Sequence, residues 1–185
     1  MGQLQDSEHG EMASLLNDYY RDYTLFFTDP LFRDNGYYVI KESGRVVAGL
    51  QAYPVSWHIV DFGSGMANQL VRLLVKIPWV RKRINPEEVK LLAFDGIYCE
   101  PGHESTLYEL MEGVLERTGR YVAMLMMDLN SHLYGIFRKQ QKLGIMHRVL
   151  GSFTADVRMR FINLPDETRK RFVDQPTYIP TYDNS

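Results

Sequence analysis

The sequence holds a single cysteine, Cys99, in 185 residues. One cysteine excludes an internal disulfide and any cysteine-based zinc cluster, and it fits a reducing compartment. No charge of one sign dominates. The formal net charge is −2, so no global field draws the chain toward nucleic acid, and no aromatic-interleaved basic motif points there. Long apolar runs are also missing. The longest, Leu70 to Val80, is interrupted by Arg72, Lys76 and Pro78, which is too short and too charged to span a bilayer. The first residues, MGQLQDSEHGEM, are polar and lack the apolar core of a secretion signal. A cytoplasmic location is the expectation. The histidines His58, His132 and His147 show no metal-ligand spacing, so no metal site is expected.

What is present is an ordinary globular composition. Hydrophobic residues make up 45% and charged residues 24%. At this length one domain can bury roughly 70% of its unfolded surface. The periodicities give an order of elements. Met12, Leu15, Leu16, Tyr19, Tyr20 and Tyr23 recur at helical spacing, so a helix capped by Ser7 is expected to run to about Phe27. Tyr37 to Ile40 and Arg45 to Tyr53 flank the turn Lys41-Glu42-Ser43-Gly44 and read as a hairpin, with an edge or bulge at Pro54. Residues 61–89 read as an insertion with a helical pattern from Met66 to Ile77.

Lys90 to Cys99 (KLLAFDGIYC) is a central strand by its apolar content. Leu107, Leu110, Met111, Val114 and Leu115 then form one helical stripe, with Thr106 and Glu109 at capping-box spacing. Tyr121 to Met127 is a second apolar strand, Ser131 to Lys142 a helix, and Phe153 to Ile162 an alternating strand. This order predicts an α/β (α+β) domain over 1–164 with a mixed central sheet. Its strand–helix–strand units favour adjacent parallel strands. Residues 165–185, with Pro165, Pro176 and Pro180, are expected to wrap its surface.

This order resembles the acyl-CoA N-acyltransferase (GNAT) fold. Four stretches carry the resemblance: LLNDYYRDYT as the first helix, VIKESGRVVAGLQAY as the second and third strands, Ile97-Tyr98-Cys99-Glu100-Pro101 as the end of the fourth strand, and Lys142-Leu143-Gly144-Ile145 after the last helix. The family's first strand would end near Leu4, so most of it is missing. The chain then reads as a trimmed piece or one half of a tandem protein. At the family's pyrophosphate loop the chain has His103-Glu104-Ser105-Thr106-Leu107-Tyr108, with Thr106 and Tyr108 where the family has small residues.

The resemblance implies acetyl-CoA or another acyl-CoA as co-substrate. Backbone N–H groups of His103, Glu104, Ser105 and Thr106 would cradle its phosphates at a helix start. The strand edge Ile97, Tyr98 and Cys99 would pair with its pantetheine arm. Tyr134 would protonate the departing thiolate, and Asp95 or Glu100 would take the proton of a small-molecule or peptide amine. Each has a plainer reading: a capped helix start, a helix aromatic, and solvent-facing or ion-paired carboxylates. Cys99 has no base partner in the sequence and reads as a buried thiol. The stretch Arg72, Lys76, Trp79, Arg81, Lys82 and Arg83 is basic and amphipathic, offering membrane contact over 70–83 or a solvated helix face. The alternative to an enzyme is a catalytically degenerate GNAT-like binding module, paired with a second such domain or with another copy.

Overall fold

The computed structural model describes residues 1–58, 88–140, 143, 144, 147, 148, 152, 154, 156 and 158–182. Among them, a five-stranded mixed sheet is flanked by helices. The strands are β1 (Gly2–Gln3), β2 (Tyr37–Glu42), β3 (Arg45–Trp57), β4 (Val89–Cys99) and β5 (Ala123–Met124), and they lie side by side in chain order. β1 to β4 pair antiparallel, while β5 lies parallel to β4. The helices are α1 (His9–Tyr19), α2 (Glu104–Thr118) between β4 and β5, α3 (His132–Gln140) and α4 (Asp166–Asp174).

The central hairpin forms where β-branched and aromatic residues flank a turn that needs positive φ, supplied by Ser43 and Gly44. Pro54 is accommodated because β2 reaches only to the level of Gln51. The last bond on that side is from Ala52 N–H to the Gly36 carbonyl, and among the described residues β3 pairs only with β4 beyond it, so the missing N–H of Pro54 removes no ladder bond there. The bulges lie elsewhere, at Ile40/Lys41 and at Gly49/Gln51.

Neighbouring side chains on a strand point to opposite faces, and Tyr37 and Tyr38 show what covers each. Arg117 of α2 lies 5.9 Å over the Tyr38 ring. On the other face Phe32, stacked on His9 of α1, meets Tyr37. The expected α2 stripe is buried at Leu107, Leu110, Met111 and Val114, against the core residues Leu50, Leu92 and Phe94 of β3 and β4.

Several sequence expectations change, and the expected strand Tyr121–Met127 pairs only at Ala123–Met124. α1 stops at Tyr19, short of Phe27. Tyr20 and Tyr23 still bury their rings, but in turns, where Tyr20 stacks on Phe26. The helix after β4 starts at Glu104, with His103 at the cap position, so Thr106 lies inside it and forms no capping box with Glu109. Of the expected strand Phe153–Ile162, the described residues carry no strand pairing and Ile162 is exposed, while residues 153, 155 and 157 lie outside the described residues. The expected helix Met66–Ile77 and the basic stretch 70–83 lie outside the described residues, whereas Val89 begins β4 rather than closing an insertion. No helix among the described residues is long and apolar enough to cross a membrane.

Candidate functional site

A bulge in β4 creates the site. Gly49 faces Tyr98 and Gln51 faces Asp95, so Gly96 and Ile97 together oppose Leu50. The extra residue bends the strand and frees a backbone donor from the ladder. Gly96 adopts φ +52°, and a Cβ there would stand 2.8 Å from Cδ1 of Leu31, so position 96 needs glycine. The carbonyls on either side of the kink are held by phenols. Tyr37 donates to the Gly96 oxygen at 2.8 Å and Tyr20 donates to the Ile97 oxygen at 2.5 Å.

Next to the bulge the sheet splits. β5 pairs with β4 only at Leu92/Ala123 and Ala93/Met124. Beyond that point the strands part around a cavity. Asp95, Gly96 and Ile97 line one wall, and Met126, Met127 and Asp128 line the other. On the β5 side, Ile97 to Cys99 have no strand partner among the described residues.

The C-terminal segment runs into this split. Thr24 and Thr177 form a parallel bridge, in which Thr24 N–H donates to the Pro176 carbonyl and Tyr178 N–H to the Thr24 carbonyl. From there the Tyr178 hydroxyl accepts from Gly96 N–H at 2.8 Å and donates to Asp95 Oδ1 at 3.3 Å. Thr181 N–H and Tyr182 N–H donate to Asp95 at 2.7 and 2.9 Å. Met126 N–H, across the split, donates to Thr181 Oγ1 at 3.0 Å. Asp95 is 5% exposed. Burial raises its carboxyl above the ordinary range, and the N–H groups of Thr181 and Tyr182 pull partly the other way. Burial together with the nearby Asp95 carboxylate pushes the Tyr178 phenol well above its usual range.

The start of α2 also carries an internal anion. The Glu104 carboxylate accepts from Gly102 N–H at 3.3 Å. The N–H of Glu104 itself and that of Gly102 hold this carboxyl below the ordinary range. Two further carboxylates stand nearby. Glu42 lies 3.5 Å from His103 Nε2, and Glu100 lies 3.1 Å from Arg45 and 3.8 Å from His103 Nδ1. Ser105 is exposed, while Thr106 is partly buried.

Of the residues singled out from sequence, Asp95 and Ile97 line the split and the others do not. Glu100 faces Arg45 and His103 instead. Tyr134 is partly buried on α3, its N–H bonded to Ser131 Oγ, and it does not line the split cavity. Tyr98 lies edge-on to Tyr19. Cys99 is buried, and desolvation with nearby Glu104 and Glu100 pushes its thiol up to about 11, so it carries no nucleophile. Tyr108 does not stand over the helix start, because its ring is buried edge-on against Phe137. Sequence reasoning missed Gly96, Tyr178 and Thr181. The glycine inside an apolar strand was the available signal for the bulge.

No protein-family model matches the chain, and no curated protein does. Among solved structures it is similar to a predicted acetyltransferase from Clostridium acetobutylicum, determined with acetyl-CoA. The identity is 10%, over 86% of this chain and 92% of that one, with a TM-score of 0.44.

Proposed function

We propose that this chain moves an acyl group from an acyl thioester, acetyl-CoA or another acyl-CoA, to an amine. The observation that carries this reading is the Gly96 bulge beside the β4/β5 split. It aims a backbone N–H into a cavity bounded by an unpaired strand edge, with a helix starting directly after the strand. In such a site Gly96 N–H donates to the thioester oxygen as charge develops there. The free edge of Ile97 to Cys99 aligns the extended arm of the thioester. The amine nitrogen attacks the carbonyl carbon, so a C–N bond forms as the C–S bond breaks. Asp95 takes the proton lost by nitrogen, directly or through water, and the leaving sulfur takes a proton from water. A raised carboxyl pKa suits a base working near neutrality. The residues fit the thioester end well. At the α2 start, the N–H groups of Glu104, Ser105 and Thr106 offer a phosphate cradle once the Glu104 side chain turns away, while that of His103 is held by the Glu100 carbonyl.

A second reading has its own observation. Glu104 stands where phosphate would sit, and the C-terminal segment occupies the donors of the split. Both fit a non-catalytic module that has kept the fold and lost the ligand.

Calorimetry with acetyl-CoA separates the two. Saturable binding that is weakened by Ser105→Glu, a change that adds negative charge without disfavouring a helix start, supports the transferase and justifies a screen of amines. No binding up to about millimolar, the weak end of measurable affinity, by a protein shown to be folded overturns it in favour of the module.

A further inference from the structure

The split holds a segment of the chain that meets its polar groups as a ligand would. Tyr178 Oη lies on Gly96 N–H, the position the acyl oxygen takes in the proposed reaction. The N–H groups of Thr181 and Tyr182 lie on Asp95, as an acceptor amine would. Thr181 Oγ1 closes the opposite wall at Met126 N–H. Every one of these contacts is a hydrogen bond.

What precedes the segment holds it weakly. α4 buries none of its residues, and Val173 is 76% exposed. The anchors of the segment are the bridge and hydroxyl bond to Thr24, the Thr177 N–H bond to Asp128 at 3.0 Å, the Tyr178 ring, which lies edge-on to Tyr20 and Phe26, and the Tyr182 ring, which stacks on Tyr53. A segment with two partly buried rings and otherwise polar bonds opens at lower free energy than the strands beneath it. The core of the sheet, by contrast, is closed by Leu50, Leu92 and Phe94, all essentially inaccessible.

We propose that residues 176–182 form a detachable strap that fills the β4/β5 split and must leave as a unit before the Gly96 and Met126 donors can meet a ligand. Release of the strap is a property of this chain alone. Its competition with an acyl thioester rests on the transferase reading.

Native-state hydrogen exchange on the full chain, followed residue by residue, tests the strap. The N–H groups of Gly96, Met126, Thr181 and Tyr182 are expected to exchange together through one local opening, well ahead of Leu92, whose N–H is bonded to the Val122 carbonyl in the core. Tyr178→Phe removes the hydroxyl on Gly96 and is expected to speed exchange at all four together by about tenfold, one hydrogen bond's worth, with Leu92 still exchanging far behind them. Exchange of the four only together with Leu92, or acceleration confined to Gly96, overturns the strap. With acetyl-CoA as probe, competition predicts that Tyr178→Phe binds about tenfold more tightly than the unaltered chain, and that saturation speeds exchange at Thr181 and Tyr182. Equal affinity overturns the competition. Binding to neither protein overturns the transferase reading and leaves the exchange result to decide the strap.

Discussion

The hydroxyl of Tyr178 caps the backbone N–H of Gly96 at 2.8 Å, joining the C-terminal segment to the bulge of the central strand. Without that contact a donor freed by the bulge would be buried with no partner. Tyr178→Phe keeps the ring against Tyr20 and Phe26 and strands the N–H. The expected loss of stability is about 1–3 kcal/mol, the desolvation cost of an unmet buried donor. Urea denaturation of the two proteins measures it. No change in midpoint would mean that water replaces the phenol at no cost.

Asp95 gives stability a definite pH dependence. Burial raises its carboxyl in the folded chain, so the folded state favours the protonated form relative to the unfolded chain. Its contribution is complete below the ordinary aspartate range and is lost as pH climbs through the raised folded value. The groups facing it are Tyr178, Thr181 and Tyr182 from the strap and Tyr53 from β3. Glu8 and Glu104, whose carboxyls are lowered, act in the opposite sense. Asp95→Asn isolates the effect. Between about pH 3.5 and 7, the stability difference between the unaltered chain and this variant is expected to shift against the unaltered chain as pH rises. A difference that is flat across the range contradicts the assignment.

Glu104 should obstruct anions at the start of α2. Glu104→Ala frees the N–H groups of Gly102 and residue 104, and is expected to tighten acetyl-CoA binding about two- to fivefold at low salt, the range of one charge at a helix terminus. Calorimetry at two ionic strengths checks it. Weaker binding in the variant would show that the carboxylate helps hold the ligand.

Cys99 is expected to resist alkylation in the native chain. Its thiol is buried and raised to about 11, so iodoacetamide near pH 8 should label it only as the protein unfolds. Cys99→Ala should leave acetyl-CoA binding intact. Rapid native labelling would place the thiol at an accessible surface.

The sheet was legible in the sequence because its signals are local. The hairpin turn, the apolar run of β4 and the stripe Leu107, Leu110, Met111 and Val114 each declare themselves within a few residues. The site was legible only on one side. Asp95 stands out as a carboxylate in an apolar strand, but what occupies it lies 83 positions away, at Tyr178. No periodicity connects a tyrosine in a proline-bearing tail to a strand. The start of α2 was misplaced for a related reason. Thr106 and Glu109 have a capping spacing, yet the Pro-Gly turn after β4 ends early enough for Glu104 to enter the helix and satisfy its first N–H groups with its own carboxylate. Tyr134 was singled out by its place in a family pattern, and sequence distance alone does not say which face of α3 meets the split.

The most direct test of the account is the backbone N–H resonance of Gly96 during titration with acetyl-CoA. Saturable shifts are expected at Gly96 and Met126, accompanied by shifts at Thr181 and Tyr182 as the strap leaves. An unchanged Gly96 resonance at about millimolar acetyl-CoA, in a chain with an otherwise folded spectrum, would contradict it.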